Sequence, residues 1–121
     1  MTITTAHDEI GDVDALQRLE RFGGRKLRDE LTALFLAEAP TRIEAARRAL
    51  AAGDAAGVRA AAHSLKSSAG QLGAVRIQRI CDGLDSPRWP ADVARAIADL
   101  GTELPRYRAW LATVAPHEES A

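Results

Sequence analysis

The chain has 121 residues, 46% of them apolar but only 4% aromatic, with 16 basic and 17 acidic residues for a formal net charge of -1. That length fits one compact domain, and so balanced a charge, with no basic stripe, argues against a nucleic-acid binder. The single cysteine, Cys81, excludes an internal disulfide.

A core built from Leu, Ala, Val and Ile, with few aromatics, points to an all-α protein. Residues 1–11 lack the basic start and apolar stretch of a signal peptide. No apolar run reaches the roughly 18 residues that span a bilayer. A cytoplasmic domain without membrane contact is therefore expected.

In chain order, residues 1–11 are polar and aperiodic and read as a disordered lead-in. Asp12 or Asp14 caps a short helix carrying Val13, Leu16 and Leu19, which stops at Gly23-Gly24. A second helix starts near Arg25, with Leu27, Leu31, Leu34 and Phe35 on one face. Pro40 interrupts it, yet the stripe resumes at Ile43, Ala46 and Leu50, which leaves one long kinked helix or two helices. Gly53 closes that element, and Asp54 caps a third helix running to about Leu72, with Gly73 at its end.

A fourth helix covers roughly residues 74–84, with Ile77, Ile80, Cys81 and Leu84 at helical spacing. Ser86 to Pro90, containing Pro87 and Pro90, is a rigid linker. The last helix, about residues 91–114, carries Val93, Ile97, Leu100, Leu104, Tyr107, Leu111 and Val114, the seam pattern of a bundle helix. Pro105 is expected to bend it, and residues 115–121 form a polar tail. The predicted fold is an antiparallel, up-and-down four-helix bundle over residues 12–114, with a short additional N-terminal helix.

The third helix carries the chemistry. Val58, Ala62, Leu65, Ala69 and Leu72 step by four and three and form its buried stripe. At roughly 100° per residue, His63 lies about 140° from the centre of that stripe, with Arg59, Lys66, Ser67 and Gly70 within about 60° of it. A histidine thus points outward, with a cation one turn to either side. A neutral imidazole is a competent nucleophile, since its unperturbed pKa is about 6.5. Small neighbours let it enter a partner's cleft, and Lys66 can bond phosphoryl oxygens. Arg59 either assists or holds a solvent ion pair. A lone surface histidine is ordinarily inert, but Gly70 costs its helix about 1 kcal/mol relative to Ala and so requires a separate reason.

The segment Ala62-His63-Ser64-Leu65-Lys66-Ser67-Ser68-Ala69-Gly70-Gln71-Leu72-Gly73-Ala74 resembles the signature of histidine phosphotransfer (HPt) domains. The resemblance extends to residues 35–40, to Ala49-Leu50 and Gly53-Asp54, and to Ile80-Cys81, over about residues 12 to 114 in all. It implies a phosphoacceptor role for His63 and a phosphate-side role for Lys66; Arg59, Ser67 and Gly70, on the same outward side of the helix, form the expected docking face. The family usually has Gly directly after the Lys, where this chain has Ser67. HPt domains often place a Gln or Glu late in the fourth helix to orient the imidazole. The matching position is Asp85, which reads either as that orienting group or as a helix-end residue capping the Pro87 turn.

The implied function is a phosphorelay intermediate that takes a phosphoryl group from one phospho-aspartyl receiver and passes it to another. Its partners would be response-regulator receivers or a hybrid histidine kinase, and a monomer is expected. No Gly-rich phosphate loop, CxxC pair or HExxH occurs, so neither cofactor, metal nor ATP site is expected, and phosphate must come from a donor protein. The alternatives are a receiver-binding adaptor, the phosphoacceptor and dimerisation domain of a histidine kinase, and a plain helical scaffold. The kinase alternative would call for an ATP-binding domain that this length does not hold, and the short tails favour a free-standing protein. His7 and His117 fall in the terminal segments and read as inert, Cys81 as a core residue, and Trp89 and Trp110 as packing for the linker and last helix.

Overall fold

The computed structural model of the chain describes residues 9–114. They form four helices and no strand: α1 (Val13–Ala51), α2 (Ala55–Gln71), α3 (Val75–Asp85) and α4 (Val93–Val114). Consecutive helices pack on one another, and α4 closes the ring against α1. The core between them holds Phe35, Ala39 and Ile43 of α1, Val58, Ala62, Leu65 and Ala69 of α2, and Ile77, Cys81 and Leu84 of α3. Ile97, Leu100, Leu104 and Tyr107 of α4 complete it. Burial pushes the Cys81 thiol up to about 12, so it is an unreactive filler of apolar space.

The local signals act as chemistry requires. Asp54 Oδ1 accepts from the Gly57 amide and starts α2, and Asp92 Oδ1 accepts from the Arg95 amide and starts α4. Gly53 and Gly73 both take φ +72, the left-handed conformation that lets a helix end in a tight turn. At Gly73 a Cβ would also strike the Asp12 carbonyl oxygen. Asp12 N–H donates to the Gly73 carbonyl at 2.9 Å, which ties the start of α1 to the α2–α3 turn. Tyr107 hydroxyl donates to Leu72 O at 2.6 Å and satisfies a carbonyl at the end of α2 from within the core.

The long first element α1 follows the sequence reading in part and departs from it in part. Within Val13–Ala51 two helices meet at a break at Gly24 (φ 83, ψ 175), where the first was expected to stop. The helix passes through Pro40 with helical dihedrals, so the break sits at glycine, which adopts positive φ without steric cost. Leu34 is 52% exposed and does not share the face of Phe35. The charged Arg28, by contrast, is buried.

Of the expected disordered lead-in, residues 1–8 lie outside the described residues. Ile10 packs against the core, and Gly11 is buried where any side chain would meet the Trp110 ring. The tail 115–121, His7 and His117 also lie outside the described residues.

Candidate functional site

The site forms where α2 and α3 lie side by side. The apolar stripe of α2 is buried, which turns His63 outward, and its side chain is 67% exposed. Across the groove, Ile77, Cys81 and Leu84 anchor α3 in the core. That register delivers Asp85, the last residue of α3, to the histidine: His63 Nδ1 stands 3.0 Å from Asp85 Oδ2. The same oxygen receives Lys66 Nζ at 2.8 Å, and Asp82 Oδ1 lies 3.6 Å from that ammonium.

These contacts define the protonation states. Lys66 first, then His63, hold the Asp85 carboxyl below the usual carboxylate range, and the Asp85 hydrogen bond holds the Lys66 ammonium above its ordinary value. At neutral pH Asp85 is therefore an anion that only accepts hydrogen bonds. A neutral His63 ring must then donate from Nδ1, which leaves the Nε2 lone pair facing outward. A nucleophilic nitrogen at the surface, backed by a carboxylate and flanked by an ammonium, is suited to taking a phosphoryl group from another protein.

The comparisons with known proteins agree on what kind of domain this is. A family model described as Hpt domain matches residues 30–110. The chain belongs to the Hpt domain family. Members of this family act as phosphorelay intermediates in two-component signalling, and this is the function of the chain.

The fold is similar to the histidine-containing phosphotransfer domain of ArcB from Escherichia coli. The TM-score is 0.75 and the identity 23%, over 92% of this chain and 100% of that one. It is also similar to histidine-containing phosphotransfer protein B (HptB) from Pseudomonas aeruginosa PAO1, with TM-score 0.72 and 23% identity over 88% of this chain and 94% of that one. No curated protein matches the sequence.

Within this Hpt domain the remaining candidates are placed as follows. Ser67 is exposed beside Lys66. Gly70 is half-buried, and a Cβ there would meet Gln78 Nε2 of α3 at 2.9 Å, so its small size gives room to a side chain reaching over from the next helix. Arg59 does not touch a carboxylate of the site; its guanidinium carbon lies 4.7 Å from the centre of the Trp89 ring.

Asp82, Gln78 and the contact of Trp89 with Arg59 are neighbours of these residues that sequence reasoning did not single out. Asp82 lay three residues before Asp85, on the same helical face, and was legible by spacing once Asp85 was considered. Trp89 sits in a linker and left no periodic signal.

Among the described residues there is no group of three His, Cys, Asp or Glu side chains arranged to hold a metal. No described helix is long and apolar enough to cross a membrane.

Proposed function

We propose that His63 Nε2 is the atom that carries the phosphoryl group, accepting it from a phospho-aspartyl receiver and surrendering it to another. The observation that carries this reading is the 3.0 Å contact between Nδ1 of an exposed His63 and Asp85. The Nε2 lone pair attacks phosphorus, the N–P bond forms, and the P–O bond to the donor's aspartate breaks with the electron pair leaving on that carboxylate. Nδ1 keeps its proton throughout. The phosphorylated ring is thereby cationic, and the Asp85 anion offsets that charge where it develops. Lys66, drawn from its carboxylates toward the arriving dianion, bonds the phosphoryl oxygens.

Arg59, Ser67 and Gly70 lie on the same outward face and form the receiver's docking surface in this reading. The helices run antiparallel, up and down, and the segment before Gly24 serves as the short additional helix. The domain works as a cytoplasmic monomer and needs no cofactor, since both the phosphoryl group and the leaving group belong to its partners.

Incubation with a phosphorylated receiver tests the reading. Phosphate that moves to the chain and is released by acid but not by alkali is the expected result. A receiver that binds without transferring phosphate would make the protein an adaptor instead. Absence of both binding and transfer across a panel of receivers would leave a scaffold.

A further inference from the structure

We propose that Trp89, in the linker between α3 and α4, is a positioning residue of this site. It holds both the helix end that carries Asp85 and the guanidinium of Arg59. The proposal rests on the reading of His63 as phosphoacceptor and adds to it a third structural element.

The last four carbonyls of an α-helix have no amide donor within the helix. Leu84 immediately precedes Asp85, the last residue of α3. The amide that would continue the helix toward the Leu84 carbonyl belongs to Arg88, and it donates to Ser86 Oγ at 3.1 Å instead. The indole N–H of Trp89 takes its place, donating to Leu84 O at 2.8 Å.

That anchor is stiff. Trp89 packs partly against the core, and Pro87 and Pro90 restrict the backbone on either side of it. Helix ends fray. Asp85 sits at such an end and still has to keep its carboxylate 3.0 Å from His63 Nδ1. The Trp89 bond fastens the turn on which that distance depends.

The face of the same indole carries Arg59, whose guanidinium carbon is 4.7 Å from the ring centre. Arg59 lies one turn before His63 on α2, so the two are neighbours on the helix surface. Arginine keeps its planar fork of donors while stacked on an aromatic face. Held there, it offers those donors to phosphoryl oxygens or to carboxylates of a receiver from the side of His63 opposite Lys66.

Three variants separate the two contacts. Trp89→Phe keeps a ring for Arg59 but deletes the N–H donor, Trp89→Leu deletes both, and Arg59→Ala deletes the cation. Thermal unfolding, nitrogen-15 NMR of the His63 imidazole and the rate of phosphoryl uptake from a phosphorylated receiver are measured on each.

Both Trp89 variants should lower the Nδ1–H tautomer population of His63, whereas Arg59→Ala should leave it unchanged. Arg59→Ala should slow uptake by roughly tenfold in the wild-type background. It should do nearly the same in Trp89→Phe, and make almost no further difference in Trp89→Leu. An unchanged His63 tautomer in both Trp89 variants overturns the positioning role, as does an Arg59→Ala effect equal in all backgrounds.

If Trp89→Leu does not fold, Trp89→Phe alone decides through the tautomer. The NMR measurement needs no phosphate donor. A chain that takes up no phosphate would therefore refute the phosphorelay reading while the Trp89–Asp85 coupling is still judged.

Discussion

Arg28 and Lys66 each face two carboxylates, yet they do opposite work. Arg28 meets Glu20 at 2.7 Å and Asp29 at 3.1 Å, with its side chain only 4% exposed. Lys66 meets Asp85 at 2.8 Å and Asp82 at 3.6 Å, with 28% exposure and Asp82 standing in solvent. A buried guanidinium must keep its partner, because losing it strands a charge in a medium that solvates it poorly. An ammonium at the surface can exchange one anion for another at little cost. The first cluster bridges the Gly24 break, joining Glu20 before it to Arg28 after it, and so fixes the fold. The second can release its cation to an arriving phosphoryl group. In the proposed reading, burial, more than the identity of the charges, separates the ion pair that holds the fold from the one that meets a phosphoryl group.

Arg28→Ala tests the structural half of this contrast. Removing one partner of a buried pair should cost about 3 kcal/mol, at the lower end of the usual range because Glu20 keeps some access to water. Urea unfolding measures it, and the fraction that remains folded should transfer phosphate normally. A loss below about 1 kcal/mol would mean that Arg28 behaves like a surface cation after all.

Asp85→Asn acts in the other direction. It should leave the melting temperature nearly unchanged but slow phosphoryl uptake roughly tenfold or more, since an amide can donate to Nδ1 and favour the tautomer with Nε2 protonated. Equal uptake rates for Asn and Asp at this position would assign Asp85 to the Pro87 turn alone.

Lys66→Ala should shorten the lifetime of the phosphorylated protein with no clear change in thermal stability. It should also let the Asp85 carboxyl rise back toward its ordinary value, because the Lys66 hydrogen bond is the largest cause of its depression. The pH consequence follows from that sign. A carboxyl whose folded pKa lies below its unfolded value stabilises the fold above the unfolded pKa, about 3.9 for Asp. That contribution is lost as pH falls through the lower, folded value. Carbon-13 titration of Asp85 in wild type and Lys66→Ala should show the midpoint moving up in the variant, and this group should contribute no change in stability between about pH 5 and 8.

Gly70 gives the smallest effect. Gly70→Ala gains helix propensity of up to about 1 kcal/mol. It must also displace Gln78 Nε2, the flexible end of an exposed side chain. Thermal unfolding should therefore show a net change smaller than that gain. Gly70→Leu should still fold but weaken transfer by crowding the docking face. If Gly70→Leu unfolds the domain, Gly70 serves the packing of α2 on α3 and the docking face lies elsewhere.

How much of this was legible in the sequence depends on how local each signal is. The boundaries of α2, α3 and α4 follow from caps, glycines and apolar period, and all three emerge within about two residues of the expected ends. The outward angle of His63 and its nearness to Lys66 are properties of one helix, so counting along α2 finds both. The matching of Asp85 to His63 came through the resemblance, because it needs the register of α2 against α3, which no single helix encodes. Arg28 was invisible for a different reason. A stripe counted from apolar residues alone passes over an arginine, and ion pairs with Glu20 and Asp29 make a buried one acceptable. Trp89 was expected merely to pack the linker, since an aromatic between two prolines carries no period at all.

The central claim is that the Asp85 contact reserves His63 Nε2 for the phosphoryl group. Nitrogen-15 and phosphorus-31 NMR of the phosphorylated protein, with His63→Gln as control, tests it most directly. The expected spectrum shows a single phosphohistidine at His63, phosphorus bonded to Nε2 and the proton retained on Nδ1, with no phosphate on a folded His63→Gln. Phosphorus on Nδ1, or full labelling of His63→Gln, would contradict it.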